Sequence, residues 1–143
     1  MTRVLYIVIA GLLLAESLCS FGLGIALASS AGQAGSSVTA SDVIKPLGFL
    51  GLLGGLLLTA SAAVAVPRLE AQSWTRIIAL ISFFYGTWGL LKGAPPHLQY
   101  VLPDATGGLG AVLCSLGFVA IGGVGLAILL LERRNSPDVS EVS

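Results

Sequence analysis

Four long apolar runs, divided by short polar stretches, leave this chain few folds to choose from. They cover residues 4–28, 46–66, 74–91 and 109–131. At about 1.5 Å of rise per residue, even the shortest makes a helix of ~27 Å, close to the ~30 Å of a bilayer core. Charged residues are only 10% of the chain and hydrophobic residues 55%, whereas a soluble domain carries about 25% charge. Too little polar surface exists to face water. The expected fold is all-α: one integral membrane domain, a bundle of four transmembrane helices.

The few basic residues sort along the chain. Arg3 precedes the first run, Arg68 and Arg76 flank the link between the second and third, and Arg133 and Arg134 follow the fourth; Lys45 and Lys92 lie in the remaining links. Cytoplasmic loops carry excess Lys and Arg, so the pattern predicts both termini inside, at the cell membrane. The outer loops are then 29–45 and 92–108, with a cytoplasmic loop at 67–73 and a cytoplasmic tail at 132–143. Net charge is zero, so no basic face exists for nucleic acid. The expected partners are the lipid bilayer and other transmembrane helices, in a homo-oligomer or a larger membrane complex. Arg3 and the Ala26-Leu27-Ala28 stretch before Ser29 also imitate a signal peptide, but Glu16 interrupts the apolar region such a peptide needs.

Glu16 is the residue that demands an explanation. It sits midway along the first run, where a carboxyl group costs roughly 2.5–3.5 kcal/mol on the mild insertion scale. A neutral, hydrogen-bonded carboxyl is the least costly state there, with Thr59, Ser115 or Tyr85 as the expected partner. Leu12, Glu16, Ser20, Gly24 and Ala28 recur at four-residue spacing and so share a helix face. Two roles follow: glue between helices, or a proton or cation site formed by Glu16 and Ser20.

Small residues recur at the same spacing elsewhere. Gly51, Gly55, Thr59 and Ala63 form a stripe on the second run; Ala111, Ser115, Gly123 and Ala127 form one on the fourth, with Gly117 and Gly125 as a second edge. In lipid such stripes let backbones approach, which makes Gly24, Gly51, Gly55, Thr59, Ser115 and Gly123 the expected packing residues. Ser41-Asp42 would cap a helix starting at Val43 or Pro46, Pro67 would end it, and Ser73 or Thr75 would cap the next. Phe83, Phe84, Tyr85 and Trp88 cluster on the third run. They read as core and lipid contacts, with Tyr85 and Trp88 as the alternative wall for a flat or cationic ligand. Tyr6, Trp74 and Trp88 mark interfaces. His97, the only histidine, is expected at the solvated outer surface, and Cys19 and Cys114 as small hydrophobes with no reason to pair.

Much chemistry is missing. One histidine excludes a haem held by two histidines and a histidine-rich metal centre, and no CxxC pair, P-loop or G-x-S-x-G elbow occurs. No catalytic residue, cofactor or metal is expected, and the chain reads as non-enzymatic. Four helices and Leu14-Ala15-Glu16 midway along the first give residues 6–24 a resemblance to the small multidrug resistance transporters. That resemblance implies a glutamate exchanging protons against cationic substrates in an antiparallel dimer. The chain departs from that family in its greater length, its sorted charges and the lack of a Gly- and Trp-containing signature in residues 77–91. Its Gly/Leu texture also resembles DoxX-like four-helix proteins. Two functions are therefore expected: first a helix-packing accessory subunit of a membrane assembly, and second a small proton-coupled transporter using Glu16.

Overall fold

The computed structural model describes residues 2–33, 39–65 and 71–135. It is all-helical, and four of its helices are long and apolar enough to cross a membrane. They are α1 (Thr2–Gln33), α2 (Ala40–Ala65), α3 (Ala71–Lys92) and α5 (Leu109–Asn135). A short α4 (Pro96–Val101) and a 3₁₀ turn (Pro103–Ala105) fill the link between α3 and α5. Pairing is by hairpin: α1 packs along α2 and α3 along α5. The hairpins meet mainly through α1 and α5, while α2 and α3 barely touch.

The helices outrun their apolar cores. α1 continues past residue 28 because nothing there breaks it, and Ser30 Oγ donates back to the Ala26 carbonyl at 2.9 Å. α2 begins a turn earlier than the Ser41-Asp42 reading. The Thr39 amide and hydroxyl both donate to Asp42 Oδ2, at 3.0 and 2.8 Å, and the Asp42 amide donates to the Thr39 carbonyl at 3.0 Å, which closes the first turn. Pro46 therefore falls inside the helix and not at its start. Pro67, Arg68 and the tail from 136 onward lie outside the described residues, as do residues 34–38.

Side chains on the outer surface are apolar. Ile7, Leu52, Phe84, Leu91 and Leu130 are all more than three-fifths exposed, a kind of surface that soluble monomers rarely present. The interior holds Ile9, Leu13, Leu57, Val64, Phe118 and Ile121 together with buried hydroxyls. Ser17 Oγ donates to the Gly54 carbonyl at 2.7 Å, and Ser61 Oγ to the Ala10 carbonyl at 2.8 Å. These two bonds tie α1 to α2. At one end of the bundle Tyr6 donates to Glu132 Oε1 at 2.7 Å, joining α1 to α5.

Close approach does occur at small residues, but mostly not at the expected ones. α2 turns Pro46, Leu50, Gly54, Leu57, Ser61 and Val64 inward, a stripe set by its larger side chains. Gly51 and Gly55 consequently face open space, as does Gly123 on α5, and Thr59 is exposed with its hydroxyl on the Gly55 carbonyl. Gly24 does sit in the α1–α2 contact, where a Cβ would lie 3.3 Å from that of Leu50, and Phe21 lies over Gly54. On the other hairpin a Cβ on Gly86 would stand 2.6 Å from Val119 N, and one on Gly122 2.7 Å from the Phe83 backbone. Ser115 is fully buried in this seam.

Gly86→Ala must therefore push α3 away from α5 and lower stability by about 1–3 kcal/mol, whereas Gly55→Ala should change little. Thermal melting of the two variants in detergent separates them, and an unshifted midpoint for Gly86→Ala would contradict the close seam.

Candidate functional site

Glu16 lies half-buried on the α1 face that meets α5. α5 accommodates it because position 117 is glycine: any Cβ there would collide with Glu16 Oε1. The partner is none of the three expected. Thr59 faces outward, Ser115 bonds the Ala111 carbonyl at 3.0 Å, and Tyr85 is engaged elsewhere. The Cys114 thiol instead donates to Glu16 Oε2 at 3.4 Å. A full turn of α5 thus holds the carboxyl, with Cys114 donating and Gly117 making room.

His97 completes the group and corrects its expected solvated position. It is 3% exposed. The link between α3 and α5 folds back because Gly93 and Gly107 adopt left-handed φ values of 79° and 84°, a conformation that glycine enters at no steric cost. The Gly107 amide donates to the Gly93 carbonyl at 2.9 Å and closes the loop at its base. Pro96 opens α4 in the first-turn position that suits proline, so His97 carries one of the helix's unpaired amides. That amide donates to the Tyr85 hydroxyl at 3.2 Å, and the same hydroxyl lies 2.9 Å from His97 Nδ1.

In the tautomer that accepts the Tyr85 proton at Nδ1, the ring N–H is on Nε2, which lies 3.9 Å from Cys114 Sγ. In that tautomer the donors run in one direction, from Tyr85 through His97 and Cys114 to Glu16. The rings of Tyr85 and His97 are stacked at 5.9 Å, with Phe118 edge-on to both. Burial of the imidazole pushes the His97 pKa down from 6.5 to about 4, so the ring is neutral at physiological pH.

A cavity of about 520 Å³ opens beside this chain. Glu16, His97 and Cys114 line it along with Cys19, Ser20 and apolar residues that include Leu23, Leu98 and Leu102. Ser20 contributes little polarity, since its hydroxyl donates to the Glu16 backbone carbonyl at 2.9 Å. All other lining residues lie on the α4 side of Glu16. On the opposite side Ile9, Leu13, Phe118 and Ile121 pack solidly. Cys19 and Cys114 are both free thiols. Among the described residues no three histidine, cysteine or acidic side chains converge closely enough to hold a metal.

Tyr85 and Trp88 do not form a shared wall. Tyr85 points inward to His97, while Trp88 is 52% exposed with the Lys92 ammonium 5.5 Å over its ring. A second, almost wholly apolar groove of about 440 Å³ lies where α2 and α3 diverge, with Leu56, Trp74, Ile77 and Phe118 among its walls. His97 and Cys114 were not legible as site residues, because their neighbours come from three different helices. Comparison with protein families, curated proteins and solved structures returned no match.

The buried neutral histidine has a consequence for acid stability. The unfolded chain binds a proton at His97 below about pH 6.5, while the folded protein resists it down to about pH 4. Stability is thus full above the upper value and is lost as pH falls through this window, by about 3 kcal/mol. Melting curves against pH should show the loss, and His97→Gln should flatten it.

Proposed function

We propose that this is a small multi-pass protein of the cell membrane that binds a mainly apolar cation at Glu16 in exchange for a proton. Its role is transport and not catalysis. The observation that carries this reading is the setting of Glu16: the carboxyl lines a cavity of about 520 Å³ and is not sealed between helices. A volume of several hundred Å³ with apolar walls and few polar groups suits a small-molecule ligand. No lysine or arginine lines the cavity, so a bound cation would supply the countercharge. A proton and a cation then compete for one carboxylate, which is the minimum requirement for exchange. The polar inventory holds one acid, one neutral imidazole, one hydroxyl and two thiols, too sparse for most catalysis.

The sorted arginines support a topology with both termini cytoplasmic, which opens the Glu16 cavity toward the outside. In a protein lacking Cys19 and Cys114, cysteines at Thr39 and Asn135 should label oppositely with an impermeant maleimide applied to intact cells. Equal labelling would reverse or remove the sidedness.

The binding test uses tetrabutylammonium, whose permanent charge means that any proton released comes from the protein. Calorimetry in buffers of different ionisation enthalpy should count up to one proton released per cation, with affinity falling as pH falls. Glu16→Gln should weaken binding at least about tenfold; equal, pH-independent binding by both proteins would end this reading.

A second reading, a helix-packing subunit, draws on a different observation. Gly51, Gly55 and Gly123 present open space outward, available to helices of another chain. Stoichiometric co-purification with a membrane partner, lost in Gly51→Leu or Gly55→Leu, would favour it.

A further inference from the structure

We propose that residues 93–107 form a lid over the Glu16 cavity, and that the lid's hold on the bundle follows the charge on Glu16 through Cys114 and His97. The inference rests on proton and cation exchange at Glu16 and adds how that site would be gated.

The segment has the build of a lid. Its base is closed by the Gly107-to-Gly93 hydrogen bond, and both glycines are left-handed, so the two ends of the segment meet at one narrow base. Four of its residues, His97, Leu98, Leu102 and Ala105, form part of the cavity wall. Its free side rests on α2, where the Tyr100 ring lies 5.1 Å from Phe49 and takes the Lys45 ammonium at 4.4 Å. Inside, Ala94 and Leu98 pack with Ala111, Leu23 and Cys114, and His97 adds a polar hold: Tyr85 on α3 lies 2.9 Å from one ring nitrogen and Cys114 on α5 lies 3.9 Å from the other.

Cys114 joins this anchor to the site. With Glu16 ionised, the carboxylate needs a donor, the thiol proton is committed to it, and the sulfur lone pairs are left to accept from His97 Nε2. Every group in the chain then has a complementary neighbour. With Glu16 protonated, the carboxylic acid accepts weakly and the thiol is no longer held in that orientation, so His97 loses a fixed acceptor. Protonation of Glu16 therefore loosens the lid, while a cation paired with ionised Glu16 keeps it shut over the occupant. Among the described residues the titratable groups lining the cavity around Glu16 are Cys19 on its own helix, Cys114 on α5 and His97 on α4. Around His97 they are Tyr85 and Cys114.

The test is hydrogen exchange of the full-length protein in nanodiscs, read by mass spectrometry on peptides within 93–107. Measurements span the titration of Glu16, which is followed by the infrared carboxyl band lost in Glu16→Gln. After correction for intrinsic rates, protection of the α4 amides should rise about threefold or more as Glu16 ionises, the scale of one modest hydrogen bond. In Glu16→Gln protection should stay at its low level. Cys114→Ala should abolish the dependence and Cys114→Ser, which keeps a donor and acceptor, should retain it. Lid protection that ignores the Glu16 titration, or a dependence that survives Cys114→Ala, overturns the proposal. Tetrabutylammonium binding separates it from the function above. Binding with an unresponsive lid removes only the gate; a responsive lid without binding removes only the cation.

Discussion

The structure depends on backbones that come into contact where side chains are small. Many large apolar side chains face outward, and the contacts that join the helices are close backbone packing and interhelical hydrogen bonds. α3 and α5 meet through Gly86, Gly122 and Gly125, each with no room for a Cβ. α1 and α2 meet through Gly24 and Gly54 and are further joined by Ser17 and Ser61, whose hydroxyls reach carbonyls on the opposite helix. Two closely packed hairpins result, and the seams between them are looser. The cavity at Glu16 and the groove between α2 and α3 are both products of that looseness.

Glu16 is tolerated because it falls in the looser seam. Sealed within either hairpin, an acid would need a dedicated donor and would leave little space around it. Opposite Gly117 it has space, and Cys114 supplies a donor. The thiol is a weak donor, so the bond steadies the carboxyl without committing it. A carboxyl that is held loosely beside a cavity can change partners, which is the property a proton or cation site requires and a structural hydrogen bond does not.

Part of the site was legible in the residues. A glutamate in the middle of an apolar run announces itself by its cost, and Ser20 lies on its face by spacing alone. His97 did not announce itself. Its sequence setting, between prolines in a link between helices, is that of a solvated loop residue. It is buried because two left-handed glycines turn the loop back and because Tyr85, a full helix away, offers one hydroxyl to both its amide and its ring. Cys114 looked like one more small apolar residue. Its role arises from the register of α5 against α1, which no local pattern encodes. Trp88 takes the other course: three residues from Tyr85 on one helix, it faces outward while Tyr85 faces in.

The sequence by itself determined the class of fold, since four apolar runs of membrane-spanning length permit little besides a helical bundle, and the acid stands out against them. The helix ends it marked less closely, since α1 runs on to Gln33 and α2 starts at Ala40. Which small residues are used was decided only by the tertiary structure. Gly51, Gly55 and Gly123 have the right spacing, but α2 and α5 are rotated by the larger side chains they must bury, Leu50, Leu57 and Val64 on one and Phe118, Ile121 and Ile128 on the other. Spacing states which residues share a face. Only the bulk of the remaining side chains, summed over both partners, decides which face turns inward.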